Sequence, residues 1–121
     1  MTTPCILLAE DDDSMRNFLT RALQRAGYNV TSVDRGTEAL PLIAGGRYDL
    51  LLTDIIMPEM DGIELARRAQ TVAPHMRVMF ITGFAAVALD QRGGVPRNAK
   101  VLSKPFHLKD LVSEVNRLFA A

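Results

Sequence analysis

Five residues of this chain could do chemistry together: Glu10, Asp11, Asp54, Thr82 and Lys104, which supply three carboxylates, a hydroxyl and an ammonium. Glu10 and Asp11 open the run "EDDD", in which four acids follow directly on the apolar "ILLA". Such crowding is unfavourable by itself: two unit charges ~4 Å apart near a protein surface interact by about 4 kcal/mol. A solvated loop or a helix N-terminus would tolerate it, and Asp12 and Asp13 are expected to cap a helix starting at Ser14–Met15. A bound cation would offset the rest. Convergent hard oxygens suit Mg²⁺, which takes one or two carboxylates and keeps waters and phosphate oxygens as its other ligands. A carboxylate beside such an ion can attack a phosphoryl group, as in enzymes that form an aspartyl phosphate. Lys104 would then neutralise charge developing on the phosphoryl oxygens, and Thr82 would donate to one of them.

These residues are far apart along the chain, so a fold must gather them, and the hydropathy pattern predicts one that does. Apolar or β-branched runs at 5–9, 28–33, 49–54, 77–82 and 99–103 read as strands. Between and after them lie helix-period segments at 14–27, 36–46, 61–74, 85–92 and 108–119. The first carries an apolar stripe of Met15, Phe18, Leu19, Ala22, Leu23 and Ala26, and Gly27 stops it. The second contains Pro41, which lacks an N–H, so it should be short or bent. The fourth is weak, because "GGVP" cuts it off. The last has the clearest stripe: Leu108, Leu111, Val112, Val115, Leu118 and Phe119. Five βα units in succession imply an α/β fold with a doubly wound parallel sheet between two helical layers. Ligands of such folds sit at the carboxyl ends of the strands, at the switch point. Glu10 and Asp11, Asp54, Thr82 and Lys104 follow or end the first, third, fourth and fifth strands.

The 121 residues fit one domain, and 48% hydrophobic content is enough for a core. Fourteen basic residues balance 14 acidic ones, so the basic footprint of a nucleic-acid binder is absent. A single cysteine, Cys5, is read as a core residue in a reducing compartment. The N-terminus has no basic region before its short apolar run, and no stretch is long enough to span a membrane, so a cytoplasmic protein is expected.

"ILLAEDDDSMR", "LLLTDIIMPEMDG", "FITG" and "LSKPF" resemble, in order, the four landmarks of the response-regulator receiver domain of two-component signalling. The resemblance covers essentially the whole chain, as one domain over 1–121. It implies the flavodoxin-like (βα)5 fold with strand order 2-1-3-4-5. It also implies that Glu10 and Asp11 are the acidic metal pair, Asp54 the phosphoacceptor, and Thr82 and Lys104 the hydroxyl and lysine of the site. Ile56 matches the position that lends Mg²⁺ a backbone carbonyl, and Lys104–Pro105 matches a bond that is typically cis. The implied partners are a histidine kinase or histidine phosphotransferase and an effector protein. The chain would be a monomer or weak dimer that transfers a phosphoryl group onto its own Asp54, rather than an enzyme. "FITGFAAVAL" with "VLSKPFHLKDL" is similar to single-domain receivers that adapt substrates to the ClpX–ClpP protease in the cell cycle, which implies ClpX as that effector.

Other functions are less compatible with the residues. A receiver-only relay intermediate or a chemotaxis-type regulator would use the same site. A phosphatase of the haloacid-dehalogenase type needs a second acid two residues beyond its nucleophile, where this chain has Ile56. A flavodoxin-like carrier needs hydroxyls and amides in its first loop to cradle phosphate, and four acids would repel one. The receiver leaves no DNA-binding output domain, so a protein contact is expected through the last two strands and their helices. Two departures from the family are visible. Val101 stands three residues before Lys104, where receivers usually carry an aromatic switch residue, so readout is expected through Gly83 and Phe84. Ile56 and Phe84 flank the path of a hydrolytic water and cannot hydrogen-bond it, so a long-lived phosphoryl group is expected.

Overall fold

The computed structural model describes residues 3–83 and 99–120. Five strands, β1 (Cys5–Ala9), β2 (Asn29–Val33), β3 (Leu50–Asp54), β4 (Arg77–Thr82) and β5 (Lys100–Ser103), form one sheet in the order β2-β1-β3-β4-β5. Every pairing is parallel. The helices among the described residues are α1 (Asp13–Arg25), α2 (Gly36–Gly45), α3 (Gly62–Val72) and α4 (Leu108–Ala120). Expected and observed strand and helix limits agree within two residues. The expected helix at 85–92, the glycines after it and Phe84 lie outside the described residues.

Burial explains why the central strands read as continuous apolar runs. Ile6, Leu7, Leu8 and Ala9 of β1 are fully buried, as are Leu50, Leu51 and Leu52 of β3. Successive residues point to opposite faces. Leu7, Leu51, Val78 and Phe80 join Ala39 and Ile43 of α2 and Ile63, Ala66 and Ala69 of α3 in one core layer. Ile6, Leu8, Leu50, Leu52, Met79 and Ile81 join Leu19 and Leu23 of α1 and Leu111 and Val115 of α4 in the other. Only two-sided helical cover makes both parities apolar.

Two expectations need correction. Phe18 is 54% exposed, and Ala26 is exposed too, so the stripe of α1 is narrower than its periodicity suggests. Cys5, the first residue of β1, is only partly buried, unlike the four residues that follow it. Pro41 sits inside α2, which continues to Gly45.

The order places the topological switch between β1 and β3. From β1 the chain steps outward to β2, then returns to the other side of β1 as β3. The loops leaving β1 and β3 therefore diverge to opposite faces and leave a crevice above their carboxyl ends.

Candidate functional site

Each site residue is delivered by a strand end. Glu10 follows β1, and its N–H continues the ladder to the Val33 carbonyl at 3.1 Å. The Glu10 side chain is 1% exposed. Its Oε2 accepts from the Asp12 N–H at 3.2 Å, whereas its buried Oε1 accepts no hydrogen bond of ordinary geometry among the described residues. Asp54 ends β3; its Oδ1 accepts from the Ile55 N–H at 2.7 Å and its Oδ2 from Lys104 Nζ at 2.9 Å. Lys104 Nζ also lies 3.5 Å from Glu10 Oε1. Carboxylate oxygens of Glu10, Asp11 and Asp54 come within 4.8 Å of one another.

Lys104 is placed by the sheet. Thr82 pairs in register with Ser103, and the Lys104 N–H donates to the Thr82 carbonyl at 2.9 Å. That bond carries the β4–β5 pairing one residue beyond the strand and aims the lysine over Asp54. The Lys104–Pro105 bond is cis, as the resemblance implies. Thr82 is buried at the end of β4, one residue beyond Ile81, the register partner of Asp54. Asp11 is exposed at the mouth of the crevice. The Ile56 side chain points to solvent at 56% exposure.

The four adjacent acids have separate fates, which is how the fold tolerates them. Asp12 caps α1, accepting from the Met15 N–H at 2.8 Å. Asp13 pairs with Arg16 at 2.6 Å. Glu10 and Asp11 remain for the site. Burial pushes the Glu10 carboxyl up to about 7, against the Asp12 N–H, and the charge of Asp54 adds to the rise. Burial also opposes the charge of Lys104, but the hydrogen bond and charge of Asp54, with Glu10 behind them, outweigh it and hold the ammonium above its ordinary value. Among the described residues, one ammonium, that of Lys104, faces the carboxyl groups of Glu10 and Asp54, with Asp11 beside them.

The family described as the response regulator receiver domain matches residues 6–116. The chain belongs to the response-regulator receiver family. It is 60% identical over 116 residues to the response regulator receiver protein CpdR of Brucella abortus, an overlap of 96% of this chain and 97% of that protein. It is 38% identical over 117 residues to the sensor kinase CckA of the same species, covering 93% of this chain but 12% of the kinase. Among solved structures, a response regulator receiver protein from Sinorhizobium medicae superposes with a TM-score of 0.88 at 31% identity, covering 98% of this chain and 96% of that one. The chemotaxis protein CheY4 of Vibrio cholerae gives 0.87 at 26% identity, covering 96% and 98%.

The receiver site fits a hard divalent cation. The buried Glu10 Oε1, whose nearest cation is Lys104 Nζ at a long 3.5 Å, is the kind of atom a metal satisfies, and the Asp11 and Asp54 oxygens beside it complete a carboxylate set of the kind Mg²⁺ takes. Val101, at the usual aromatic switch position, is partly buried against the α2–α3 core layer.

Three residues that the sequence reading passed over also shape the site. Arg16 donates from Nη1 to the Glu10 carbonyl at 3.0 Å, tying the acidic loop to the first turn of α1. Its spacing of three from Asp13 was the available signal. Gly62 opens α3 so close to β3 that a Cβ there would lie 2.0 Å from the Asp54 carbonyl oxygen. Glu59, in the loop between them, has φ +70°, a conformation rare for a residue with a side chain. Nothing in its sequence context marks it.

Proposed function

We propose that this receiver is a Mg²⁺-dependent phosphoacceptor of a two-component relay, phosphorylated on Asp54 by a histidine kinase or histidine phosphotransferase. The observation that carries the reading is the approach of Lys104 Nζ to 2.9 Å from Asp54 Oδ2, inside a carboxylate group within 4.8 Å and open to solvent through Asp11. A merely structural ion pair would have no use for two further acids.

In this reading an Asp54 oxygen attacks phosphorus as the bond from phosphorus to the donor imidazole breaks. The carboxylate becomes an acyl phosphate and the imidazole leaves. Lys104, hydrogen-bonded to Asp54 before the reaction, would turn its ammonium toward a phosphoryl oxygen. Thr82 donates its hydroxyl to another. The Ile55 N–H keeps the aspartate oriented, so little reorganisation is needed at the moment of transfer. Glu10, Asp11, Asp54 and the Ile56 carbonyl would hold Mg²⁺, which when bound neutralises charge on the transferring group. Ile56 supports retention of the phosphoryl group, since its exposed apolar side chain cannot orient a hydrolytic water.

Output is then a protein contact. The 60% identity to CpdR, over nearly the full length of both chains, supports placing this receiver with single-domain regulators. The sequence resemblance extends that to a protease adaptor acting on ClpX. Incubation with acetyl phosphate and Mg²⁺, read by intact mass, tests the chemistry. Wild type gains one phosphoryl group and Asp54→Asn gains none; equal gain by the variant would overturn the assignment.

A further inference from the structure

We infer that Glu59 is a positioning residue for the phosphoacceptor loop, clamped to the start of α2 by Arg35 and Thr37; the metal part of this inference rests on the function proposed above. Residues 55–62 form a closed loop. Its base is the hydrogen bond from the Gly62 N–H to the Ile55 carbonyl, at 2.7 Å. Its tip is a three-residue reversal: the Met60 N–H donates to the Pro58 carbonyl at 2.8 Å, with Glu59 between them at φ +70°. That is the rarer, strained form of γ-turn. Glycine would adopt it freely, so glutamate at this point requires a compensating contact.

The contact comes from another part of the fold. Glu59 Oε1 lies 3.4 Å from Arg35 Nη1, and Glu59 Oε2 accepts from the Thr37 hydroxyl at 3.2 Å. Both carboxylate oxygens are therefore engaged, one on each side of the start of α2. Arg35 is itself held, because Asp34 accepts from its Nε at 3.0 Å and from its Nη2 at 3.4 Å. Met60, next to Glu59, packs its buried side chain at the same junction, where a Cβ on Gly36 would lie 3.4 Å from it. The tip is thus fixed to the start of α2 while the base is fixed next to β3. Between these anchors lie the Ile55 N–H that orients Asp54 and the Ile56 backbone assigned to the metal.

Comparing Glu59→Gly with Glu59→Ala separates positioning from simple stability. Alanine loses the clamp and keeps the strained backbone, so its melting temperature falls. Glycine loses the clamp but relieves the strain, so it melts at or above the alanine variant, near wild type. Both are expected to bind Mg²⁺ about tenfold more weakly than wild type by calorimetry, the size of effect usual for residues that orient a ligand. In metal-free protein both should also shift the Ile55 amide proton resonance, which reports its hydrogen bond to Asp54. Thr37→Val should reproduce half of the effect, because it removes one of the two contacts. Glycine and alanine variants with wild-type Mg²⁺ affinity and an unmoved Ile55 amide would overturn the inference. Wild-type protein that takes up no Mg²⁺ would overturn the metal reading and the metal part of this one, while the Ile55 amide would still decide whether Glu59 positions Asp54.

Discussion

Replacing Gly62 with alanine puts one methyl group where the structure has no room. The new Cβ would stand 2.0 Å from the Asp54 carbonyl oxygen and 3.0 Å from Ile55 Cα, and real Cβ atoms essentially never approach closer than 3.0 Å. Both neighbours are backbone, so no side chain can turn away. Either α3 or the end of β3 must move, and the Gly62–Ile55 hydrogen bond of 2.7 Å must lengthen. Overpacking of this kind costs ~1–3 kcal/mol, and a weakened hydrogen bond adds about 1 kcal/mol. Alanine recovers roughly 0.5–1 kcal/mol over glycine within a helix. The net loss is about 1–3.5 kcal/mol, which in a domain of this size lowers the melting temperature by roughly 4–14 °C. Because the displaced atoms belong to Asp54, the proposed phosphoacceptor, phosphorylation should suffer beyond the stability loss. A misplacement of ~1 Å can cost up to about a hundredfold in rate. The assay is a thermal melt with an acetyl phosphate time course at a temperature where both proteins are folded. Gly45→Ala is the control, since its new Cβ meets nothing within 4 Å. If Gly62→Ala melts with that control and phosphorylates at the wild-type rate, the close-approach argument is refuted.

Two further outcomes follow from the charge and exposure of the site. Glu10 rises from 4.5 to about 7 on folding, so the folded chain keeps a proton that the unfolded chain releases. Its contribution is full below about 4.5 and is lost as pH rises through about 7; unfolding free energy of the metal-free protein should therefore fall by up to ~3 kcal/mol over that window, relative to Glu10→Gln. Urea midpoints in chelator at both ends check this, and a pH-independent difference between the two proteins would sink it. Ile56→Asn should speed loss of the phosphoryl group by up to about tenfold, ~1.4 kcal/mol of barrier, because the amide can orient a water that isoleucine excludes. A decay time course of purified phosphoprotein decides, and unchanged or slower decay would reverse the argument.

The sequence by itself determined the architecture and which candidate residues stand at the strand ends. Its two periodicities are local: a buried parallel strand reads as an unbroken apolar run, and an amphipathic helix repeats its stripe every three to four residues. Once five such pairs alternate, the carboxyl ends of the strands are the only place for a site, and Glu10, Asp11, Asp54, Thr82 and Lys104 were already standing there. The N-cap role of Asp12 was legible for the same reason, since its partner Met15 is three residues away. Tertiary structure alone decided what depends on segments distant in the chain. Whether Phe18 is covered depends on which part of α1 faces the sheet, and periodicity defines a stripe without fixing its width. The crowding that demands glycine at 62 arises where α3 meets the backbone of β3. Glu59 is held at φ +70° by a clamp more than twenty residues upstream, at Arg35 and Thr37. No local pattern can encode such constraints, because the atoms that impose them become neighbours only after the sheet has formed and the loops at its switch point have been pressed together.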